Sequence, residues 1–322
     1  MRIKTAPLAA AAAVAMLLAG CASEESSDSV AGGSGAEAGR GTGDSCVLDE
    51  PVQVGAALSL TGAAASFGQS QKKGLDVAVD DLAKKEGVKY ELKVEDDATD
   101  PKQGIAVFEQ FISRAPVSII LGPTLSNGAK TTNPIAQESK VPVLGISNTA
   151  AGITEIGDYI YRDSLPESAV IPQTIAKAKQ KLGLKKVVVM YSNDDAFTES
   201  GFKAFEAALR KEGVEITKTL TFSKADTDFR ALLTDAKGAQ PDALVVSGLI
   251  EAAVPLVTQA RELGITAPIV GGNGFNTPKL MADAGKAAEG VIVGGAWNSA
   301  AQSPENAAFL AAFKAKQPDK MK

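Results

Sequence analysis

Histidine is absent from all 322 residues. That removes the commonest general base, the commonest metal ligand and every histidine-dependent triad. A secreted hydrolase would have to use carboxylate or Ser/Lys chemistry, and no convincing nucleophile–base pair is present. No catalytic residue, metal or cofactor is therefore expected. Cysteine occurs only at Cys21 and Cys46; once Cys21 is otherwise engaged, no intrachain disulfide can form. Positive charge is in deficit, with 33 Lys+Arg against 38 Asp+Glu and a net charge of −5. An acidic chain argues against nucleic acid or an anionic membrane surface as partner. Aromatics make up 5% of the residues, with Trp297 the single tryptophan.

What is present begins with a short apolar run behind Arg2 and Lys4. A positive start, an apolar middle and small residues at the end make a secretory signal peptide over residues 1–20. It is too short and wrongly flanked for a durable membrane span. Its ending, Leu18-Ala19-Gly20-Cys21, resembles a bacterial lipobox. That resemblance implies cleavage before Cys21 and a lipid on the new N-terminal cysteine; the alternative is an ordinary signal with a chance cysteine. Residues 22–45 are mostly Gly, Ser, Ala and acid without one aromatic, so 21–46 reads as a flexible tether with almost nothing to bury.

From Val47 onward, short β-branched runs alternate with helical patterns. "VQVGAAL" (52–58), "YELKVED" (90–96), "VSIILG" (117–122), "VPVLGI" (141–146) and "YIYR" (159–162) read as strands, with helices over 69–85, 101–113 and 127–138. The first helix shows an apolar face of Leu75, Val79 and Leu82, and Asp100-Pro101 has the order of an N-cap followed by proline at the first helical position. A second series follows: strands at 186–191, 215–222, 243–248, 268–272 and 290–296 between helices at 168–182, 199–212, 227–237, 251–263 and 278–284. Repeated βα units imply a parallel sheet covered on both faces. The fold class expected is α/β, with two doubly wound parallel-sheet domains: 47–163 plus 299–322, and 164–298.

Ligands of open parallel sheets bind beyond the carboxyl ends of the strands. Two such places look alike: "PTLSNG", with Ser126 at a helix start, and "SNTAAG", with Ser147 and Thr149. Hydroxyls and unpaired backbone N–H groups there make a neutral cradle suited to a carboxylate. Plain helix capping is the alternative for either loop taken alone. "DDATD" lacks the glycine and distal glutamate of a calcium loop and reads as a loop and helix cap. "GGNGFN" is a weak phosphate-binding signal.

Four stretches, "ALSLTGAAASFGQSQKKGLDVAVDDL", "EDDATDPKQGIAVFEQFI", "IILGPTLSNG" and "SNDDAFTESGFKAFEAAL", are similar to the branched-chain amino acid type of ABC-importer substrate-binding proteins. The resemblance runs from about residue 52 to 316. It implies a type I periplasmic binding protein, with two α/β domains hinged by three crossovers and closing on a ligand. It places the ligand carboxylate at Ser126, Thr149 and the backbone of Ser147. Phe67 and Phe197 fall on aromatic cleft positions, and Leu249 falls where an aromatic is often found. Asn273 stands where amino-acid binders carry an acidic partner for the ligand ammonium. A neutral amide gives up most of that attraction, which puts a branched-chain amino acid in doubt and admits an apolar or aromatic carboxylate, or an amide. Glu251 could substitute, although a glutamate opening a helix more readily faces water. The resemblance further implies a small-molecule solute and an ABC permease as partners, with the protein itself monomeric. A ligand sensor on the same fold is the alternative function. Family members usually run past "AAFKAKQPDKMK", so the last part of the first domain is expected to be missing.

Overall fold

The computed structural model describes residues 50–86 and 89–317; Cys21 and the segments expected to be signal peptide (1–20) and tether (21–46) lie outside the described residues. The first series builds β1 (Val52–Leu58), α1 (Ala65–Glu86), β2 (Tyr90–Asp96), α2 (Pro101–Glu109), β3 (Ile119–Leu121), α3 (Ser126–Glu138), β4 (Val143–Gly145) and β5 (Ile160–Arg162). The second builds α4 (Glu167–Leu182), β6 (Lys186–Ser192), α5 (Ala196–Lys211), β7 (Glu215–Phe222), α6 (Arg230–Gly238), β8 (Ala243–Ser247), α7 (Ile250–Glu262), β9 (Ile269–Gly271), α8 (Pro278–Ala284), β10 (Ile292–Val293) and α9 (Pro304–Lys316). All pairings are parallel, in two five-stranded sheets ordered β2-β1-β3-β4-β5 and β10-β9-β8-β6-β7. In each sheet the strand order reverses beside a central strand, β1 or β6, which is where an open α/β sheet opens a crevice at its carboxyl edge.

Burial explains the strand composition. β8, "ALVVS", is buried at every position, as a central strand covered on both faces must be. Phe205 and Leu209 of α5 pack with Ile171 and Ile175 of α4 over one face of the second sheet, while α6, α7 and α8 cover the other. In the first sheet, Phe108 and Phe111 fill the core under β3. The Asp100 cap forms as its sequence suggests, the carboxylate accepting from Lys102 and Gln103 N–H. The helix that follows widens into a π turn over Gln110–Arg114.

Two differences from the sequence pattern have clear causes. α1 has 22 residues against seven in β1, so it is ~33 Å long beside a strand of ~23 Å and outruns the sheet. Val77 is consequently its buried centre and Leu82, near its end, is exposed. The last strand pairs only at Ile292 and Val293 instead of over 290–296, because glycines interrupt it on both sides; Gly290 adopts a φ of +76°. α9 returns to the first lobe, where Lys316 Nζ lies 2.5 Å from Asp80 Oδ2 on α1. Trp297 stands half exposed, edge-on to Phe309 of α9, and donates from Nε1 to Asn306.

Candidate ligand-binding cleft

β1 and β3 end at Leu58 and Leu121, and the chain must then turn sharply over the sheet at Ser59 and Gly122. Gly122 does so at φ +110°, where a side chain would also meet Ala57 O at 2.2 Å. This turn places Thr124, Leu125 and Ser126 above the strands. Ser126 opens α3 and is buried; its Oγ accepts the N–H groups of both Thr149 and Ala150, each at 3.2 Å. The two serine-rich loops singled out in the sequence are thus tied directly together. With two N–H groups on its oxygen, the Ser126 hydroxyl keeps its proton free to donate.

Ser147 is held differently. Its Oγ donates to Thr124 O at 2.6 Å and accepts from Gln71 Nε2 at 2.5 Å. Thr124 Oγ1 in turn donates to Gln71 Oε1 and accepts from Ser59 N–H. The Ser147 side chain is therefore fully engaged in this network. Thr149 is 1% exposed and its Oγ1 has no hydrogen-bond partner. An unpaired buried hydroxyl costs about 1–3 kcal/mol, a cost that a bound acceptor removes.

Phe67, Ser126, Ser147, Phe197, Leu249 and Asn273 line one cavity of about 50 Å³, together with Thr124, Leu125 and Gly274. Six of the seven ligand residues expected from the sequence therefore converge; Thr149 lies behind them, bonded to Ser126. No acidic residue lines this cavity. Phe67, from α1, packs against the core of the second lobe, and Phe197 sits in the first turn of α5. A side chain on Gly274 would come within 2.3 Å of Gly248 O and 2.9 Å of the Phe197 ring. Close packing thus accounts for the glycines of "GGNGFN".

The two lobes meet through hydrogen bonds that the sequence pattern did not suggest. Asn127 Nδ2 donates to Asp195 Oδ2 at 2.8 Å, and Ala196 N–H donates to Asn127 Oδ1 at 2.9 Å. Asp195 also caps α5, its other oxygen accepting from Phe197 and Thr198 N–H. Ala151 N–H donates to Ser200. Burial pushes the Asp195 carboxyl up, against the pull of the helix N–H groups. Of the residues missed, Gln71 had a usable signal, one helical turn after Phe67 on the same face. Asn127 had only its place beside Ser126.

A larger chamber of about 430 Å³ adjoins this cavity, and Leu125 and Leu249 line both. Asp97, Asp100, Asp195, Lys224 and Glu251 supply its ionisable groups, and most of the remaining wall is Ala, Pro, Gly and Leu. Glu251 is half-buried and lines the chamber, contrary to the solvated reading of its helix-opening position. Burial pushes its carboxyl up to about 7.

Two parallel-sheet lobes with a polar-floored, aromatic-walled cleft define a bilobal solute-binding protein. Residues 51–322 match the family model described as periplasmic binding protein, and the chain belongs to that family. The Leu/Ile/Val-binding protein BraC3 of Rhizobium johnstonii is 28% identical over 82% of this chain and 72% of its own length. The substrate-binding protein LivJ of Streptococcus pneumoniae, solved in complex with isoleucine, superposes with a TM-score of 0.77 at 29% identity, covering 84% of this chain and 78% of that one. A solute-binding protein of an ABC transporter from Rhodopseudomonas palustris, solved with 3,4-dihydroxybenzoic acid, gives 0.75 at 26% identity over 83% and 74%. The protein is accordingly an extracytoplasmic ABC-type substrate-binding protein of the branched-chain amino acid type, and not an enzyme.

Proposed function

We propose that the protein is tethered to the membrane by lipid on Cys21, acts as a monomer, and captures a small carboxylate-bearing or amide solute for its ABC permease. The observation that carries this reading is the cleft floor, where Ser126 lines the cavity and keeps a free hydroxyl proton, and Thr149, whose N–H donates to Ser126, has a buried, unpartnered hydroxyl. A carboxylate has the acceptors both groups lack. Ser126, Thr149 and the Ser147 backbone bind it from the first domain, residues 47–163 with 299–322. The second domain, 164–298, closes Phe197, Leu249 and Asn273 over the apolar body, so that ligand favours the closed state.

The neutral lining around Asn273 favours a carboxylate without an α-ammonium over a branched-chain amino acid. Installing the missing charge tests this. Asn273→Glu should improve leucine binding at least about tenfold relative to 4-methylpentanoate, its deaminated analogue. Unchanged relative affinities in calorimetric titration would remove Asn273 from the site. The anchor is checked separately: Cys21→Ser should move the protein from the membrane fraction to the soluble one, and retention would refute lipidation.

A further inference from the structure

The inner cavity has no acidic group, yet the chamber beyond Leu125 and Leu249 does. Of its four carboxylates, three are already engaged, Asp100 as the cap of α2. Asp97 accepts from Ser59 Oγ at 2.6 Å and from Thr99 N–H at 2.9 Å. Asp195 is taken up by the α5 cap and by Asn127, and Lys224 is the cation that lowers its cost of ionisation. Glu251 stands apart. Among the described residues no side chain hydrogen-bonds to it, and the one cation that acts on it, Lys279, is paired with Asp283. Its place in the first turn of α7 favours an anion, and Lys224, the cation in the chamber lining, acts on Asp195 rather than on Glu251.

On the reading that the inner cavity binds a carboxylate, we infer that the chamber is a second subsite that takes the far end of an elongated solute, an ammonium on an apolar chain, with Glu251 as its counter-charge. Separated charges in the site call for separated charges in the ligand: the carboxylate at Ser126 and Thr149, methylenes past Leu125 and Leu249, the ammonium at Glu251. The walls fit this order, because Ala63, Ala64, Pro101, Pro123 and Ala252 accept methylenes and offer no side-chain hydrogen bond. An α-amino acid does not use the arrangement, since both its charges sit on one carbon.

The test is calorimetric titration of the purified protein with 6-aminohexanoate and 8-aminooctanoate, against hexanoate, octanoate, leucine and adipate. At least one ω-amino acid should bind about tenfold or more tighter than the fatty acid of the same length. Glu251→Gln should abolish that difference and leave the fatty acid unchanged. Equal binding of aminated and plain chains, or tighter binding of adipate through Lys224, overturns the second subsite while leaving the carboxylate cradle intact. An advantage that survives Glu251→Gln also overturns it. Binding by none of the probes contradicts the cradle itself, and the subsite with it.

Discussion

Thr149→Val should make the ligand-free protein more stable and its ligand binding weaker. Valine matches threonine in shape and removes a hydroxyl that is buried without a partner, so thermal unfolding without ligand should gain about 1 kcal/mol. Carboxylate affinity should fall at least about tenfold, because the lost group would otherwise donate a charge-assisted hydrogen bond. The opposite signs are diagnostic. A residue with a purely structural role would lose stability on substitution, and a residue outside the site would leave affinity unchanged. Ser126→Ala lacks this signature, because it also strands the two N–H groups that Ser126 Oγ accepts.

The second large effect is a pH dependence centred on Glu167. This residue opens α4 just after the chain leaves the first sheet, is 1% exposed, and has both carboxylate oxygens without a hydrogen-bond partner. Its Oε2 lies against Gly272, directly below the Asn273 loop. Burial pushes the carboxyl up from 4.5 to about 7, and the nearby Asn273 N–H offsets only part of that. An acid whose folded pKa is raised binds its proton more tightly in the native state. Stability is therefore highest below about pH 4.5 as far as this group is concerned, falls as pH rises towards 7, and stays reduced above it. The full loss is about 3 kcal/mol. Glu167→Gln should remove that slope and gain up to about 3 kcal/mol at pH 8, while changing little at pH 4. Glu251 carries the same sign but is more open to solvent, so its contribution is smaller. Parallel pH–stability curves for the two proteins, read by denaturant unfolding, would show that Glu167 does not hold its proton.

The fold was legible in the sequence because its signals are local. β-branched runs at βα spacing, Asp100 before Pro101 and the alternating strand at 90–96 each report on their immediate neighbours. Element ends were less so. Helix α5 starts at Ala196, three residues before its pattern suggested, because Asp195 serves as its cap while also reaching Asn127 across the cleft. That second role depends on two residues 68 apart in the chain, and no periodicity encodes such a meeting. Ser126, Ser147 and Thr149 could be found because strand ends are where such sheets bind. Gln71 and Glu167 could not be found that way. One is an ordinary polar residue inside a helix, and the other reads as a helpful anion at a helix start until its burial is seen.

Capture of a carboxylate by the cleft is open to a direct test by thermal unfolding. Leucine, 4-methylpentanoate, benzoate, hexanoate and 6-aminohexanoate would each be compared with the alcohol of the same skeleton, which lacks only the carboxylate. At least one carboxylate should stabilise the protein, by about 2.7 kcal/mol at a hundred times its dissociation constant, and its alcohol should not. A cooperative transition that no carboxylate moves, or that an alcohol moves as far as its acid, contradicts carboxylate capture.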